Sequence, residues 1–250
     1  MKKNLLRFST LFFASLILAG STACQEPPKI EKRYLLGKHN KADQALFSTL
    51  PSKLSTRPIK VLKEVNSAFT RMAKAAANEG ISLKVVSGYR PFDHQKRIWE
   101  GKYNGKRLVD GKNLAKVMPD PGERALKILE YSSMPGTSRH HWGTDIDIND
   151  LENSYFSNGQ GLKEYNWLLK NAADYGFCQV YTPKKGIRTG YEEEKWHWSY
   201  MPIAKHYLNT YIDKVQYSDI TGFAGSQSAA KIEVIRNYVF GIDSECYKGF

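Results

Sequence analysis

The sequence predicts an α+β fold, with a small, mainly antiparallel sheet flanked by helices and followed by a C-terminal helical extension. Several segments repeat apolar residues at intervals of three and four and then end at glycine, which indicates amphipathic helices. Other short segments are aromatic or β-branched and are separated by turn residues, as in antiparallel strands. An apolar content of 41% in 250 residues is sufficient for a buried core.

The first 23 residues predict an export signal and not a part of the fold. A basic start precedes an apolar run at residues 11–18, which is too short to span a membrane comfortably. Small residues at Ser21 and Ala23 suit ordinary signal cleavage, whereas a cysteine directly after the cut resembles a bacterial lipoprotein site. We expect an exported protein of the cell envelope, in the periplasm or at the cell surface. Its contact with the membrane is expected only through a lipid on Cys24.

The charge balance is strongly basic, with 37 lysine and arginine residues against 25 aspartate and glutamate residues. The leader contributes only three of these bases, so the mature chain keeps the excess. Such a charge favours solubility and residence near polyanions such as cell-wall polymers or anionic lipids. Nucleic acid is not expected as a partner, because the chain is predicted to be exported and contains no recognisable nucleic-acid-binding module. The sequence makes no prediction of the oligomeric state.

Two cysteines remain in the mature chain beyond the predicted lipidation site. Outside the cytoplasm, Cys178 and Cys246 can form a disulfide. Two free buried thiols are the alternative, and the sequence leaves both open.

The elements before the central motif follow from periodicity and turn residues. Residues 24–57 predict a tether and an irregular N-terminal arm, because prolines and mixed charges leave little periodicity. The main domain is expected over residues 58–215. It begins with a helix from residue 58 that ends at Gly80, followed by a strand over residues 81–86.

Two further helices are predicted before the central motif. Residues 93–100 form one, and a long basic loop follows it. The other begins after Asp120, because an N-cap acid, a proline at the next position and Glu123 three residues on are typical of a helix start.

The second half of the chain is predicted to be richer in strands. A helix over residues 161–174 ends before Gly176. Short aromatic segments then predict strands at residues 177–181, 187–191 and 196–200. A helix over residues 202–214 completes the domain, and residues 216–250 are expected to dock on it as the C-terminal extension.

Residues 138–147 concentrate two histidines and two aspartates in a turn that leads into a strand. Imidazole and carboxylate are the ligands that a hydrolytic Zn²⁺ prefers, with three protein ligands and one open position. His140 and His141 are neighbours on a turn and are expected to diverge, so only one should bind. Asp145 and Asp147 share one face of the strand, so either can be the ligand. The residues alone decide neither pair, and the third ligand must come from elsewhere.

Three separated motifs of the sequence occur in a fixed order: Ser87-Gly-Tyr-Arg90-Pro with Gln95, then Ser138-x-His140-x-x-Gly143-x-Asp145-x-Asp147, and then Glu194-x-Trp196-His197. Together they resemble the zinc D-alanyl-D-alanine carboxypeptidases of the VanY type, in the group that includes lysostaphin-like peptidases and hedgehog signalling domains. The resemblance covers roughly residues 80–210. One departure is Asp145, because the family usually has alanine there. This extra carboxylate can serve as an acceptor for a ligand or pair with Arg139.

The resemblance implies the main roles in the site. His140, Asp147 and His197 would be the zinc ligands. Glu194 would be the general base, and Arg90 would be the cation facing the scissile carbonyl. Two neutral imidazoles and one carboxylate leave a zinc centre with a residual positive charge, which suits activation of water.

Two further expectations concern the edges of the site. Ser138 and Gln95 would help to hold the C-terminal end of the peptide. Glu194 and His197 are three residues apart and would face opposite sides of a regular strand. The glutamate must therefore lie on the turn before the strand, or a bulge must redirect it.

The resemblance implies a function and a substrate, namely removal of the terminal D-alanine from peptidoglycan stem peptides. An L,D-carboxypeptidase or an endopeptidase acting on the same stem peptides is an alternative, because loops such as residues 101–118 would read the substrate. A zinc-retaining, non-catalytic module that binds the cell wall is a second alternative, which the presence of Glu194 and Arg90 together disfavours. The residues by themselves argue only for metal-assisted amide hydrolysis.

Overall fold

The computed structural model describes residues 30–184 and 188–249. The leader and Cys24 lie outside these ranges, so export and lipidation stay predictions. Among the described residues, no helix combines the length and the apolar character that crossing a membrane requires.

Helices and short strands alternate along the described chain. The α-helices are α1 Lys32–Leu35, α2 Lys63–Asn78, α3 Phe92–Tyr103, α4 Leu114–Val117, α5 Pro121–Ile128, α6 Gly159–Asn171, α7 Met201–Lys214 and α8 Ser244–Lys248. The strands are β1 Phe47–Thr49, β2 Lys60–Leu62, β3 Val85–Ser87, β4 Asp145–Ile148, β5 Phe177–Gln179 and β6 His197–Tyr200. Single turns of 3₁₀ helix connect several of them, including Arg139–Trp142 directly before β4.

The central sheet has four antiparallel strands in the order β3-β4-β6-β5. Across its two middle strands, Asp145 lies opposite Ser199 and Asp147 lies opposite His197. Because side chains alternate along a strand, these four residues share one face of the sheet. The predicted small antiparallel sheet is thus confirmed, and its register joins the two halves of the candidate site.

The other face of the same strands packs against α2 in an apolar core. Ile146, Ile148 and Trp198 are almost completely buried there. Phe69 and Met72 of α2 belong to the same core and are fully buried. Burial of each such side chain stabilises the fold by about 1.5–3 kcal/mol, so this face anchors the strands.

A second core lies beneath α3, α7 and the C-terminal extension. Trp99, Trp142 and Leu208 are buried in it together with Val234 and Val239 of the extension. Residues of the extension therefore pack in the same core as α3 and α7, and the extension contains the π-helix Ile235–Val239 and α8. A disulfide between Cys178 and Cys246 joins β5 to α8. The two cysteines are therefore not free thiols, which was the alternative that the sequence left open.

The arm before residue 58 is a correction to the predicted organisation, because its described part is ordered. It forms α1 and β1, and β1 pairs with β2. The hydroxyl of Tyr34 donates to the carbonyl of Trp142 at 3.1 Å, and the Trp142 indole N–H donates to the carbonyl of Leu35, also at 3.1 Å. These contacts are between residues distant in sequence, so local periodicity does not reveal them.

Two predicted elements also differ from the structure. The helix expected from residue 58 begins only at Lys63, because residues 60–62 are extended and pair with β1. The strand expected at residues 187–191 is not formed in its described part, residues 188–191. That segment instead contacts its surroundings through side chains, since Arg188 donates from Nε to the carbonyl of Thr182 at 2.8 Å.

Candidate metal centre

The structure brings together three residues that can hold one metal ion: His140, Asp147 and His197. Their ligand atoms all lie within 4.8 Å of one another, and all three residues are buried. His140 Nε2 is 3.3 Å from Asp147 Oδ2, and His197 Nδ1 is 3.1 Å from Asp147 Oδ1. Three protein ligands of this kind leave a further position for a water or substrate, as in catalytic zinc sites.

The two imidazole rings are oriented by different partners. His140 Nδ1 lies 2.9 Å from the carbonyl of Gly88, and this contact leaves Nε2 facing the cluster. His197 is turned the other way, because its Nε2 contacts Asp145 at 2.9 Å and its Nδ1 faces the cluster. The sequence alone does not show which nitrogen each ring presents.

Two atoms of the cluster test whether these residues fit a metal ion. Among the described residues, His140 Nε2 and Asp147 Oδ1 are buried, and their contacts with neighbouring ligand atoms, at 3.3 Å and 3.1 Å, do not have hydrogen-bond geometry. Buried polar atoms are rarely left without a partner, so convergent orphans of this kind need an explanation. A divalent cation between two imidazoles and a carboxylate provides one, and the residues present therefore fit such an ion.

Burial and neighbouring charges shift the titration of the three ligands. Burial and the charge of Arg90 lower the pKa of His140 to about 4. For His197, burial acts in the same direction, but Asp145 and Asp147 outweigh it and raise the pKa to about 9. Burial would raise the pKa of Asp147, yet the two histidines hold it below its usual value. A metal ion bound here must displace a proton from His197.

His141 points away from the cluster, so the two neighbouring rings diverge as expected. Its Nδ1 lies 2.6 Å from the carbonyl of Arg90, and its Nε2 accepts from the backbone N–H of Gly136 at 3.0 Å. Burial lowers the pKa of His141 to about 3, which keeps the ring neutral. Both ring nitrogens are therefore used in holding the backbone around the site.

Glu194 lies at the edge of the cluster, on the turn directly before β6. Its Oε2 is 3.4 Å from His197 Nδ1, and its carbonyl accepts from the N–H of His197 at 3.2 Å. Glu194 and His197 are three residues apart but reach the same side, because the glutamate lies on the turn and outside the regular strand. Burial raises the pKa of Glu194 to about 8.

Arg90 approaches the cluster from the loop after β3. Its Nη1 donates to Gln95 Oε1 at 3.2 Å, and its Nη2 is 3.5 Å from Asp147 Oδ2. Gln95 is completely buried and donates from its amide to the carbonyl of Ser133 at 2.8 Å. In this structure Gln95 thus supports Arg90, and its role in holding a peptide stays a prediction.

Ser138 precedes the 3₁₀ turn that contains His140. Its hydroxyl is buried and finds no hydrogen-bond partner in the described part of the chain. It is therefore available as a donor or acceptor, and its role toward a peptide stays a prediction.

A cavity of about 650 Å³ opens beside the cluster and is lined by Arg90, Asp147 and Glu194. Other cations of its wall are Lys102, Arg107 and Lys127. Lys102 donates to the hydroxyl of Ser132 at 2.6 Å, and burial lowers its pKa. Lys102 and Arg107 fall within residues 101–118, which the sequence predicts to read the substrate, whereas no sequence motif points to Lys127 on α5.

Tyr181 is another neighbour of the cluster that sequence reasoning misses. Its ring centroid is 4.6 Å from that of His197, and its side chain is almost fully buried. It lies two residues after the end of β5, so only the pairing of β5 with β6 could have indicated this contact.

Comparison with known proteins assigns the central part of the chain. Residues 58–203 match the VanY family, described as D-alanyl-D-alanine carboxypeptidase. The YodJ protein of Bacillus subtilis is 32% identical over 179 residues, which are 69% of this chain and 58% of that protein. A D-alanyl-D-alanine carboxypeptidase of Enterococcus faecalis is 31% identical over 132 residues, which are 52% of this chain and 44% of that protein. The chain thus spans about half the length of these curated relatives.

Solved structures of similar proteins include VanYB in complex with D-alanine-D-alanine, at 23% identity and a TM-score of 0.47, covering 68% of this chain and 89% of that chain. The structure of the LdcB LD-carboxypeptidase has 24% identity and a TM-score of 0.48, covering 81% of this chain and 78% of that chain. The family match includes the three clustered ligands, Glu194 and Arg90 within residues 58–203, which are more than half of the chain. On that match, the chain belongs to the VanY family of D-alanyl-D-alanine carboxypeptidases.

Proposed function

We propose that the protein is a zinc-dependent carboxypeptidase that removes the terminal D-alanine from peptidoglycan stem peptides. The observation that carries this proposal is the buried cluster of His140, Asp147 and His197, with Glu194 and Arg90 beside it and a cavity leading to it. Membership of the VanY family supports the substrate class.

The zinc ion would be held by His140 through Nε2, by His197 through Nδ1 and by the carboxylate of Asp147. When bound, zinc supplies a Lewis acid that polarises the scissile carbonyl and makes water acidic enough to react near neutral pH. A cation held by these ligands also favours the ionised form of the neighbouring Glu194 carboxylate.

Glu194 is the residue that moves the proton. Its carboxylate lies 3.4 Å from the metal-facing nitrogen of His197, so it faces the same space as the three ligands and can accept a proton from a water there. It accepts a proton from the attacking water as the amide carbon becomes tetrahedral. The same proton then passes to the leaving amino group of D-alanine, which completes the hydrolysis without an external acid.

Arg90 offers a fixed positive charge for the carbonyl oxygen as negative charge develops on it. Its guanidinium is held by Gln95 and Asp147, so little reorganisation is required during the reaction. Lys102 and Arg107 on the cavity wall favour a substrate with a free carboxylate, whereas Lys127 is already paired with Asp110 and Glu130. These two cations support cleavage at the end of a peptide over cleavage within a cross-linked one.

The test is incubation of the zinc-loaded protein with tetrapeptide and pentapeptide stems, followed by mass analysis of the products. We expect loss of one alanine from the pentapeptide and no change in the tetrapeptide. Loss of alanine from the tetrapeptide alone would instead identify an L,D-carboxypeptidase. Release of nothing from either stem, with zinc bound, would contradict the enzymatic proposal and favour a binding module.

We further propose that the protein acts in the cell envelope and is attached to the membrane by a lipid on Cys24. The predicted leader at residues 1–23 supports export, and the disulfide between Cys178 and Cys246 suits an oxidising compartment. Intact mass of the protein from membrane fractions tests this proposal. A wholly soluble protein with an unmodified N-terminus would contradict lipidation and leave the catalytic proposal untouched.

A further inference from the structure

Asp145 is a second buried carboxylate beside the cluster, at a position that the proposed reaction does not use. Its Oδ2 lies 2.9 Å from His197 Nε2 and accepts from Arg139 Nε, also at 2.9 Å. Its Oδ1 accepts from the hydroxyls of Thr144 at 2.6 Å and Ser199 at 2.9 Å. Both oxygens are therefore saturated, and the carboxylate is held in one orientation.

Arg139 is the counter-charge of this carboxylate. Its side chain is completely buried, it donates from Nη2 to the hydroxyl of Ser199 at 2.6 Å, and its guanidinium lies 4.8 Å from the ring centroid of Trp142. A buried charge is costly unless it is paired, so Arg139 and Asp145 depend on each other. Together they are neutral, and the extra carboxylate thus adds no net charge beside the ligands.

The register of the sheet explains why Asp145 reaches the far side of His197. Asp145 lies opposite Ser199, whereas His197 lies opposite Asp147. The contact between Asp145 and His197 is therefore diagonal across the two strands. It engages Nε2, whereas the directly opposed Asp147 faces Nδ1.

We propose that Asp145, held by Arg139, is a positioning residue that fixes His197 as the tautomer with hydrogen on Nε2. Nδ1 then presents its lone pair to the metal, and the ring cannot rotate away from it. The inference rests on the proposed zinc site and deepens it. Partners of this kind orient a metal-bound histidine and raise its basicity, and their loss typically weakens metal binding by about 10- to 100-fold.

The first measurement is the zinc affinity of the purified protein by competition with a chelator. The double variant Asp145→Ala/Arg139→Met removes both charges together, so neither is left buried and unpaired. We expect its zinc affinity to be about 10- to 100-fold weaker than that of the parent. An affinity within about twofold of the parent, in a variant with native circular dichroism, would overturn the inference.

A matched control removes the charge of a buried carboxylate elsewhere. Glu164 on α6 is buried and accepts from Asn149 Nδ2 at 2.6 Å and from the Tyr155 hydroxyl at 2.8 Å. Glu164→Gln is expected to lower the melting temperature while its zinc affinity stays within about twofold of the parent. An equal loss of affinity in this variant would show that general destabilisation, not the contact to His197, weakens the site.

The conservative variant Asp145→Asn/Arg139→Met separates orientation from charge, because it also leaves no buried charge unpaired. Its amide oxygen can still accept from His197, while its amide nitrogen donates to the two hydroxyls. We expect a zinc affinity between those of the parent and the Asp145→Ala/Arg139→Met variant. An affinity as weak as that of the Asp145→Ala/Arg139→Met variant would contradict a role in orientation.

Nitrogen NMR of the histidine-labelled, zinc-loaded parent reads the tautomer directly and needs no variant. We expect a hydrogen on Nε2 of His197 and none on Nδ1. The opposite tautomer would overturn the inference even if the double variant failed to fold. A parent that binds no zinc would contradict the proposed function itself, whereas a zinc-binding parent with the opposite tautomer would contradict the role of Asp145 and the binding of zinc through Nδ1 of His197, but not the carboxypeptidase activity.

Discussion

The two faces of the central sheet come from the same two strands but differ in what their side chains require. One face presents Asp145, Asp147 and His197, and the other presents Ile146 and Trp198. All five side chains are at most 3% exposed, so burial does not distinguish them. Apolar side chains need only close packing, whereas buried polar atoms need partners. The convergence of unpartnered atoms of His140 and Asp147 on one point therefore distinguishes the polar face, whereas exposure does not.

This difference predicts two separate consequences of substitution. Changes on the polar face should alter metal binding or catalysis, because the apolar core still holds the strands. Changes on the apolar face should alter the free energy of unfolding and leave the chemistry intact, provided that the strands stay paired.

Removal of a metal ligand is expected to have the largest effect. His197→Ala should reduce bound zinc from one equivalent to less than about a tenth, because two ligands do not retain the ion against a chelator. Metal analysis after zinc reconstitution measures it. His206→Ala, at an exposed position on α7, is the control and should keep its zinc. Full zinc content in His197→Ala would show that the polar face does not hold the metal.

Glu194→Gln separates metal binding from proton transfer on the same face. The change is nearly isosteric and leaves the three ligands untouched, so the zinc content should not fall. The kcat should fall by about 10²- to 10⁴-fold with little change in substrate binding. Glu192→Gln and Glu193→Gln are controls on only partly buried side chains and should act almost like the parent. Loss of zinc in Glu194→Gln would make the glutamate a ligand and not a base.

Ile146→Ala probes the apolar face between the two aspartates. The side chain is fully buried, so its truncation should lower the free energy of unfolding by about 2–5 kcal/mol. Denaturant unfolding measures the loss. Ile212→Ala, where the side chain is 40% exposed, is the matched control and should change stability by less than about 1 kcal/mol. A weaker zinc affinity in folded Ile146→Ala would show that the two faces are coupled.

The disulfide at the edge of the sheet offers a further test of whether stability and metal binding are separate. Cys178 lies on β5, opposite Ser199 of β6, and is joined to Cys246. The variant Cys178→Ala/Cys246→Ala should lose about 2–4 kcal/mol of stability, because the unfolded chain gains freedom. Its zinc content should match that of the parent. A variant as stable as the parent would mean that the docked extension holds without the covalent link.

A local capping signal predicts the start of α5. Asp120 caps α5 as expected, since its side chain accepts from the N–H groups of Gly122 and Glu123, each at 2.8 Å. Such contacts span two or three residues and can be read from the sequence. The ordered arm and the missing strand near residue 190 depend on partners far along the chain, which periodicity does not contain.

The candidate site could likewise be predicted only in part from local sequence signals. Ligand residue types were evident from the motif, but the choice between His140 and His141 depends on backbone groups of Arg90 and Gly136. The choice between Asp145 and Asp147 depends on how β4 pairs with β6, about 50 residues away. The resemblance to a family supplied both choices, because the residues alone contain no information on strand register.

Metal binding also depends on the register in which β4 pairs with β6. A slip of one residue would turn the side chains of one strand to the opposite face. His197 would then point into the apolar core, and Trp198 would enter the space between the two aspartates. Such a slip separates His197 from Asp147 and His140, so a chain paired in this way is not expected to retain the ion. In a refolded preparation, the amount of bound zinc per chain is therefore expected to report the fraction of molecules in which β4 and β6 are correctly paired. Circular dichroism would not report this fraction, because molecules with a slipped strand can have the same helix content.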